Sequence, residues 1–274
     1  MTSSPNFRIR IGNQSAFCAK PLCLPFDYAV ANHFDAFEWF VDRRPDGTGW
    51  MAADLSPELR ATIRATAKRH DLCLSLHASI TANPGSADGW QLLLDEIRLA
   101  QEIGAVLINL HLDFTRGIER FAAAIAKVLR EIAPLGIKLS LENTVATMPA
   151  AINACFACLR QTSDVPIDRV GLCFDMGHAN LCPATHNDYV GFVAQLDRQV
   201  PIMHVHAHEN YGDVDGHLPL FTGPAASNDS GIKSLLHCLI ARSFVGAIIL
   251  EQWPDPPQLL NAARARLIGL LQTL

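Results

Sequence analysis

About eight times along the chain a short apolar run gives way to a longer segment of helical period, and no other feature narrows the fold so far. Strand-like runs lie at 8–12, 36–40, 72–77, 106–111, 138–142, 170–175, 202–206 and 247–251. Helical segments fill the gaps at 57–70, 86–103, 116–132, 149–159, 187–199, 233–241 and 257–271. Ser56 ahead of Pro57 is a good helix start, a capping hydroxyl followed by proline in the first turn. Strands that alternate with helices run parallel, because each return to the sheet needs a crossover. Eight units suffice to close a (β/α)8 barrel of roughly 250 residues, and the chain has 274. No linker, repeat or low-complexity segment divides it, so one α/β domain over residues 1–274 is expected. The loop AFCAKPLCLPFDYA after the first strand is expected to lead into a short helix. Residues 211–231 read as the longest irregular segment, of a length that in compact domains is usually functional or mobile.

Composition removes several classes of function. With 49% apolar and 18% charged residues, the chain reads as a well-packed globule rather than a disordered one. No apolar run approaches the roughly 18 residues of a membrane span, and MTSSPNFRIRIG lacks the pattern of a secretory leader, so a cytoplasmic protein is expected. Net charge is −5 and no Lys/Arg block stands out, so nothing advertises binding to a phosphate backbone. The eight cysteines are scattered, several within apolar runs, and read as small buried residues. Cys155 and Cys158 form an isolated CxxC with no second pair, to which no zinc or redox role is assigned.

The chemistry concentrates where the strands end. Six runs finish on a residue able to bind metal: His77, His111, Glu142, Asp175, His206 and Glu251. In a barrel those C-terminal ends converge on one rim, so residues far apart in sequence would face one site. The segment 202–217, IMHVHAHENYGDVDGH, is the densest. As a strand it would set His204, His206 and His208 on one face and Val205 and Ala207 on the other. Two spacings add ligands: Asp175 with His178 in DMGH, across a strand end and the first turn beyond it, and Asp215 with His217 in DGH, around a loop glycine. The candidate set is His77, His111, Glu142, Asp175, His178, His206, Asp215, His217 and Glu251. Imidazole with carboxylate suits a divalent ion such as Zn, Mn, Mg or Co, and nine ligands are too many for one, so one to three ions are expected.

The motifs LENT, FDMGHAN, HVHAHEN followed by DGHLPL, and LEQ resemble those of the xylose isomerase-like TIM-barrel superfamily. That group also holds type IV apurinic endonucleases (AP endonuclease family 2) and many sugar-phosphate isomerases, epimerases and dehydratases. The resemblance runs most clearly from His77 to Glu251. It implies that Glu142, Asp175, His206 and Glu251 fall where single-metal isomerases hold their ion. It implies also that His77, His111, His178, Asp215 and His217 fall where the endonuclease branch completes a three-metal site. Glu38, in AFEWF, matches a glutamate common at strand two of isomerase-like members; a plain salt bridge is the other reading. Two departures stand out: Gly177 precedes His178 where the endonucleases carry Cys, and FTGPAA follows HLPL where a glycine-rich GEG is usual.

From the resemblance and the site, the expected activity is isomerisation, epimerisation or dehydration of a small sugar or sugar phosphate. One ion would stabilise an enediolate while Glu142 and Glu251 exchange the proton. The alternative is a multinuclear phosphodiesterase like the type IV apurinic endonucleases. An abasic duplex would need basic and wedge residues on the rim, for which Arg43, Arg44, Trp39, Phe40 and Trp50 are the candidates, so nucleic acid is the less favoured partner. A third reading is a metal-binding barrel without catalysis. The sequence leaves the oligomeric state open.

Overall fold

The computed structural model describes residues 9–274. Arg8, at which the sequence reading starts the first strand, lies outside them, as does most of the stretch read for a leader. Eight parallel strands close into a barrel: β1 Arg10–Gln14, β2 Ala36–Phe40, β3 Cys73–His77, β4 Leu107–His111, β5 Lys138–Glu142, β6 Val170–Asp175, β7 Ile202–Ala207 and β8 Ala247–Leu250. Neighbours follow chain order, and β8 returns to pair with β1 through Arg10 opposite Ala247. The register sets His111 beside Glu142 and Asp175 beside His206, so the expected rim of ligands is built directly by strand pairing. Among the described residues no helix is long and apolar enough to cross a membrane.

Around the barrel run α1 Leu24–Ala31, α2 Pro57–Arg69, α3 Ala87–Ile103, α4 Ile118–Ile132, α5 Pro149–Gln161, α6 Met176–Leu181, α7 Tyr189–Ala194, α8 Ser230–Ala241 and α9 Gln258–Leu271. Their starts follow local chemistry. Ser56 Oγ accepts from Leu59 N at 3.3 Å and Ser86 Oγ from Gly89 N at 3.2 Å, each satisfying an N–H that the helix leaves free. Gly104 ends α3 at φ 81°, a left-handed conformation that costs glycine little. In α4 the buried side chains Phe121, Ala122, Ile125, Val128, Leu129 and Ile132 recur at helical spacing and face the sheet.

The period-two alternation of the strands divides the interior in two. Leu74, Leu76, Ile108, Leu110, Leu139 and Leu141 point outward and are buried under the helices. The other face turns into the barrel, and there Glu38, Ser75, Asn109, Ser140, His204 and His206 are all buried. Barrel interiors are normally filled by bulky branched residues. Here, among the described residues, a small apolar cluster of Ala36, Ala247 and Ile249, with Cys73 packed against it, lies on that face.

Some expectations need correcting. β1 runs to Gln14, two residues past the expected end. The helix expected at 187–199 is confined to Tyr189–Ala194, and MGHANL, capped by Asp175, forms α6. Residues 211–231 are not wholly irregular, since Glu209 bridges Leu218, a 3-10 turn spans Pro224–Ala226, and Ser230 opens α8. Trp39 and Trp50, offered as rim wedges, are 0% and 2% exposed. Alternation turns Trp39 outward, where its ring lies 5.3 Å from Phe26 and 5.6 Å from Trp50, so both belong to the core.

Candidate metal centre

All nine residues expected from the sequence meet at the C-terminal mouth. Glu142, at the end of β5, is the hub: Oε2 lies 3.1 Å from His77 Nε2 and 3.2 Å from His206 Nδ1, while Oε1 lies 3.2 Å from His111 Nε2 and 3.4 Å from His178 Nδ1. His206 Nδ1 also faces Glu251 at 3.4 Å and Asp175 at 3.7 Å. Farther out, Asp215 Oδ2 sits 3.1 Å from His178 Nε2 and 3.2 Å from His217 Nε2. Glu142, Asp175 and His206 are wholly buried, Glu251 is nearly so, and the outer pair is half exposed.

Each of five imidazoles has one nitrogen tied to an anchor and the other turned toward the cluster. His77 Nδ1 contacts Ala78 O at 2.7 Å, His178 Nδ1 contacts Asn143 O at 2.8 Å, and His217 Nδ1 contacts Glu251 O at 3.2 Å. Beside His206 lies Glu38, whose Oε1 is 2.8 Å from Nε2 as an ion-pair contact without hydrogen-bond alignment; for His208 the anchor is Asp175, both oxygens 3.1 Å from Nε2. A carbonyl can only accept, so the anchored nitrogens of His77, His178 and His217 carry the proton and the others offer lone pairs.

The inward nitrogens and oxygens are close but poorly aligned with one another. His77 Nε2, His206 Nδ1, His208 Nδ1, Glu142 Oε1 and Glu251 Oε2 are buried and make no hydrogen bond. Buried polar atoms are costly to leave unpaired, and a cation among them would satisfy the whole set at once. The donor types fit a divalent ion. Sets of ligand atoms within 4.8 Å of one another include His77, Glu142, His206 and Glu251; Glu142, Asp175 and His178; Asp175, His208 and Glu251; and His178, His208, Asp215 and His217.

Electrostatics follow from this crowding. Burial pushes the Glu142 carboxyl up, but His206 and His111 more than reverse it and hold it well below the usual carboxylate range. Asp175 is likewise held down against its burial by His178 and His208. Burial lowers His178 and His206, yet the acidic groups around each raise both well above an ordinary imidazole. His217 is pushed up to about 9 by Asp215 and Glu251, against its burial. Protons therefore compete with cations for this site.

Several contributors escaped the sequence reading of ligands. Glu38, whose match to a strand-two glutamate was noted, is completely buried and joins two histidines: its Oε2 meets His204 Nε2 at 2.8 Å and also accepts from Ser75 Oγ at 2.9 Å. Asn109 donates to Glu142 Oε2 and accepts from Ser140 Oγ at 2.7 Å. Asn143 ties the ends of β5 and β6 together, its side chain donating to Asp175 O and accepting from Asp175 N, both at 2.9 Å. The signals were present: Asn109 lies two residues before His111, on the same face, and Asn143 follows Glu142 in LENT. Burial, with Cys158 beside it, raises the Cys155 thiol to about 12.

Above the ligands opens a cavity of about 710 Å³. His111, His178, Asp215, His217 and Glu251 form its floor, and Gln14, Phe17, Phe40, Arg44, Ile80 and Trp253 its walls. Arg43 pairs with Asp54. Arg44 instead stacks on Phe17, 4.8 Å from the ring centre, and among the described residues has no ion-pair partner.

The family model described as xylose isomerase-like TIM barrel matches residues 26–269. A probable endonuclease 4 of Methanoculleus marisnigri is 28% identical over 180 residues, 59% of this chain and 63% of that protein. Among solved structures, a D-tagatose 3-epimerase-like protein superposes with a TM-score of 0.72 at 20% identity, covering 97% of this chain and 98% of the other. Endonuclease IV from Thermus thermophilus superposes with a TM-score of 0.64 at 21% identity, covering 97% and 100%.

Proposed function

The chain belongs to the xylose isomerase-like TIM barrel family, and from that membership and the layout of its site we propose that it is a divalent-metal hydrolase of a small phosphodiester. The observation that carries this reading is Glu142, whose two oxygens each face two imidazoles. One ion would use one side of that carboxylate; histidines on both sides suit a bridge between two. On this reading Glu142 with His77, His206 and Glu251 would hold one ion, the other side of Glu142 with His111 and Asp175 a second, and His178, Asp215 and His217 an outer one. Bound there, divalent ions supply Lewis acidity, activating water and neutralising phosphoryl charge.

The chain's own residues do the rest. Glu38 and the backbone carbonyls hold the imidazoles in one tautomer, with lone pairs turned inward. Arg44, at the cavity wall, stacked on Phe17 and near Asp46, would draw an anion toward the floor. Phe17, Phe40, Ile80 and Trp253 offer apolar surface to an organic substituent. The volume suits a drug-sized ligand, and Trp39 and Trp50 lie in the core, which leaves Phe40 alone of the three aromatic wedge candidates at the cavity.

The second reading, a sugar isomerase, epimerase or dehydratase, is favoured by one observation: Glu142, Asp175 and Glu251 all turn to His206 Nδ1, a complete set for one ion. Glu142 and Glu251 would then exchange the proton. Zinc- and manganese-loaded protein assayed on bis(4-nitrophenyl) phosphate and on ketoses in deuterated water separates the two. Ester cleavage lost with chelator supports the hydrolase; deuterium uptake into a ketose without cleavage replaces it with the isomerase.

A further inference from the structure

The N-terminal end of the barrel, opposite the metal centre, carries a second cavity. Arg10, Cys73, Lys138 and Ala247 each stand four residues before an inward-facing Gln14, His77, Glu142 or Glu251, so strand alternation puts them in the lowest inward layer. Bulky branched residues fill such layers in most barrels; here Cys73 and Ala247 help to leave a space of about 420 Å³. Ser75 and His204 form its floor, and Arg10, Lys138 and Arg242 stand around it. Among the described residues that line it there is no aspartate or glutamate, in a chain whose net charge is −5.

Of the three cations, Arg10 alone enters an ion pair among the described residues, with Asp71 at 3.2 Å, a carboxylate turned mostly to water. Lys138 is exposed and unpaired. Arg242 donates to the carbonyls of Leu196, Asp197 and Val200, at 3.2, 2.6 and 3.0 Å, with the charges of Arg198 and Asp197, of opposite sign, near it. Arg10 and Lys138 converge on Cys73: burial raises its thiol, Arg10 and Lys138 both pull it down, and Asp71 opposes them. A cationic rim over apolar walls such as Leu107, Ile202 and Val245 suits an anionic head on a short apolar body.

The floor is one residue away from the metal centre. Ser75 Oγ donates to Glu38 Oε2 at 2.9 Å, and His204 Nε2 meets the same oxygen at 2.8 Å. The other oxygen of Glu38 stands 2.8 Å from Nε2 of His206. We propose that this cavity binds a small organic anion, a carboxylate or a phosphate on a short apolar body, and that an occupant bearing on Ser75 and His204 moves Glu38 and so alters the hold of His206 on metal. The link to His206 rests on the metal reading above; the binding site does not.

The test titrates zinc-loaded protein with benzoate, phenylphosphonate and neutral benzamide by calorimetry. At least one of the two anions should bind at a site that Lys138→Glu removes, and benzamide should not; the tighter anion names the head group. Lys138→Gln, at the same exposed position, should weaken binding about tenfold, and both variants should keep the wild-type circular dichroism. Saturating anion should change the apparent zinc affinity, read by competition with a chromogenic chelator, at least about fivefold in the wild type and leave it unchanged in Lys138→Glu. Binding of neither anion, or binding that survives Lys138→Glu and is lost with the metal, overturns the site. Anion binding with zinc affinity unchanged overturns the link through Glu38 and keeps the site. A chain that holds no zinc yet binds the anion through Lys138 overturns the metal reading, and the link with it, and leaves the cavity standing.

Discussion

Glu38 Oε1 stands 2.8 Å from Nε2 of His206, on the edge of the ring away from the nitrogen that faces Glu142, Glu251 and Asp175. The other oxygen of the same carboxylate holds His204, so a buried row of imidazole, carboxylate and imidazole lies beneath the mouth. A carboxylate at that distance favours a proton on Nε2 of His206 and leaves the nitrogen toward Glu142 free.

Glu38→Gln replaces that acceptor by a group able to donate, and the lone pair of His206 is no longer held inward. Metal affinity, read by competition with a calibrated chelator, should fall about 10–100-fold, while circular dichroism keeps the barrel signature. Affinity unchanged in a folded variant would show that Glu38 does not orient His206.

Glu142→Gln should remove tight binding at both inner positions and cut turnover by at least about a hundredfold, with the outer equivalent retained. Asn109, itself held by Ser140, still offers a donor to the amide oxygen, so the variant should fold. Elemental analysis alongside the ester assay checks this. A variant with full activity would contradict the hydrolase and the isomerase alike.

Arg44→Ala should raise KM for an anionic ester about tenfold, the scale of losing one partly exposed charge-assisted contact, and leave kcat within about twofold. Arg43→Ala, which breaks the pair with Asp54 at the same cavity wall, is the comparison. An equal fall in kcat for Arg44→Ala would place that residue at the reacting atoms instead.

Glu96, on α3, is fully buried and accepts from Ser79 N at 3.2 Å. Burial raises its carboxyl to about 8. The unfolded chain titrates near the ordinary glutamate value of about 4.3, so between these pH values the folded state binds more protons than the unfolded one. Stability therefore falls as pH rises through that window, by up to about 1.4 kcal/mol per unit. Glu96→Gln stays neutral throughout. Urea unfolding should find the variant and the wild type similar at pH 4 and the variant more stable, by a few kcal/mol on this scale, at pH 8.5. A difference independent of pH would mean that Glu96 is ionised in the fold.

The ligands at strand ends were readable in the sequence because parallel pairing carries each strand's last residue to one rim, as His111 beside Glu142 illustrates. His208 was harder. It lies one residue past the end of β7, where period-two alternation no longer governs side-chain direction, and its seat depends on a glycine 31 positions earlier that faces it only in three dimensions. Glu38 could be matched to a family position, but its two imidazole partners are set by register between strands distant in the chain. Trp39 and Trp50 misled because aromatic residues near a charged loop look like a rim, and only the outward face of β2 shows them to be core. The limits of α7 depended on tertiary packing more than on apolar period.

The central claim, a multinuclear centre bridged by Glu142, is tested most directly by the metal content of protein purified without chelator. Elemental mass spectrometry should give about three divalent ions per chain, falling by about one in Asp215→Ala and in His217→Ala. Close to one ion per chain, unaffected by either substitution, would contradict the multinuclear centre and return the site to a single-metal isomerase.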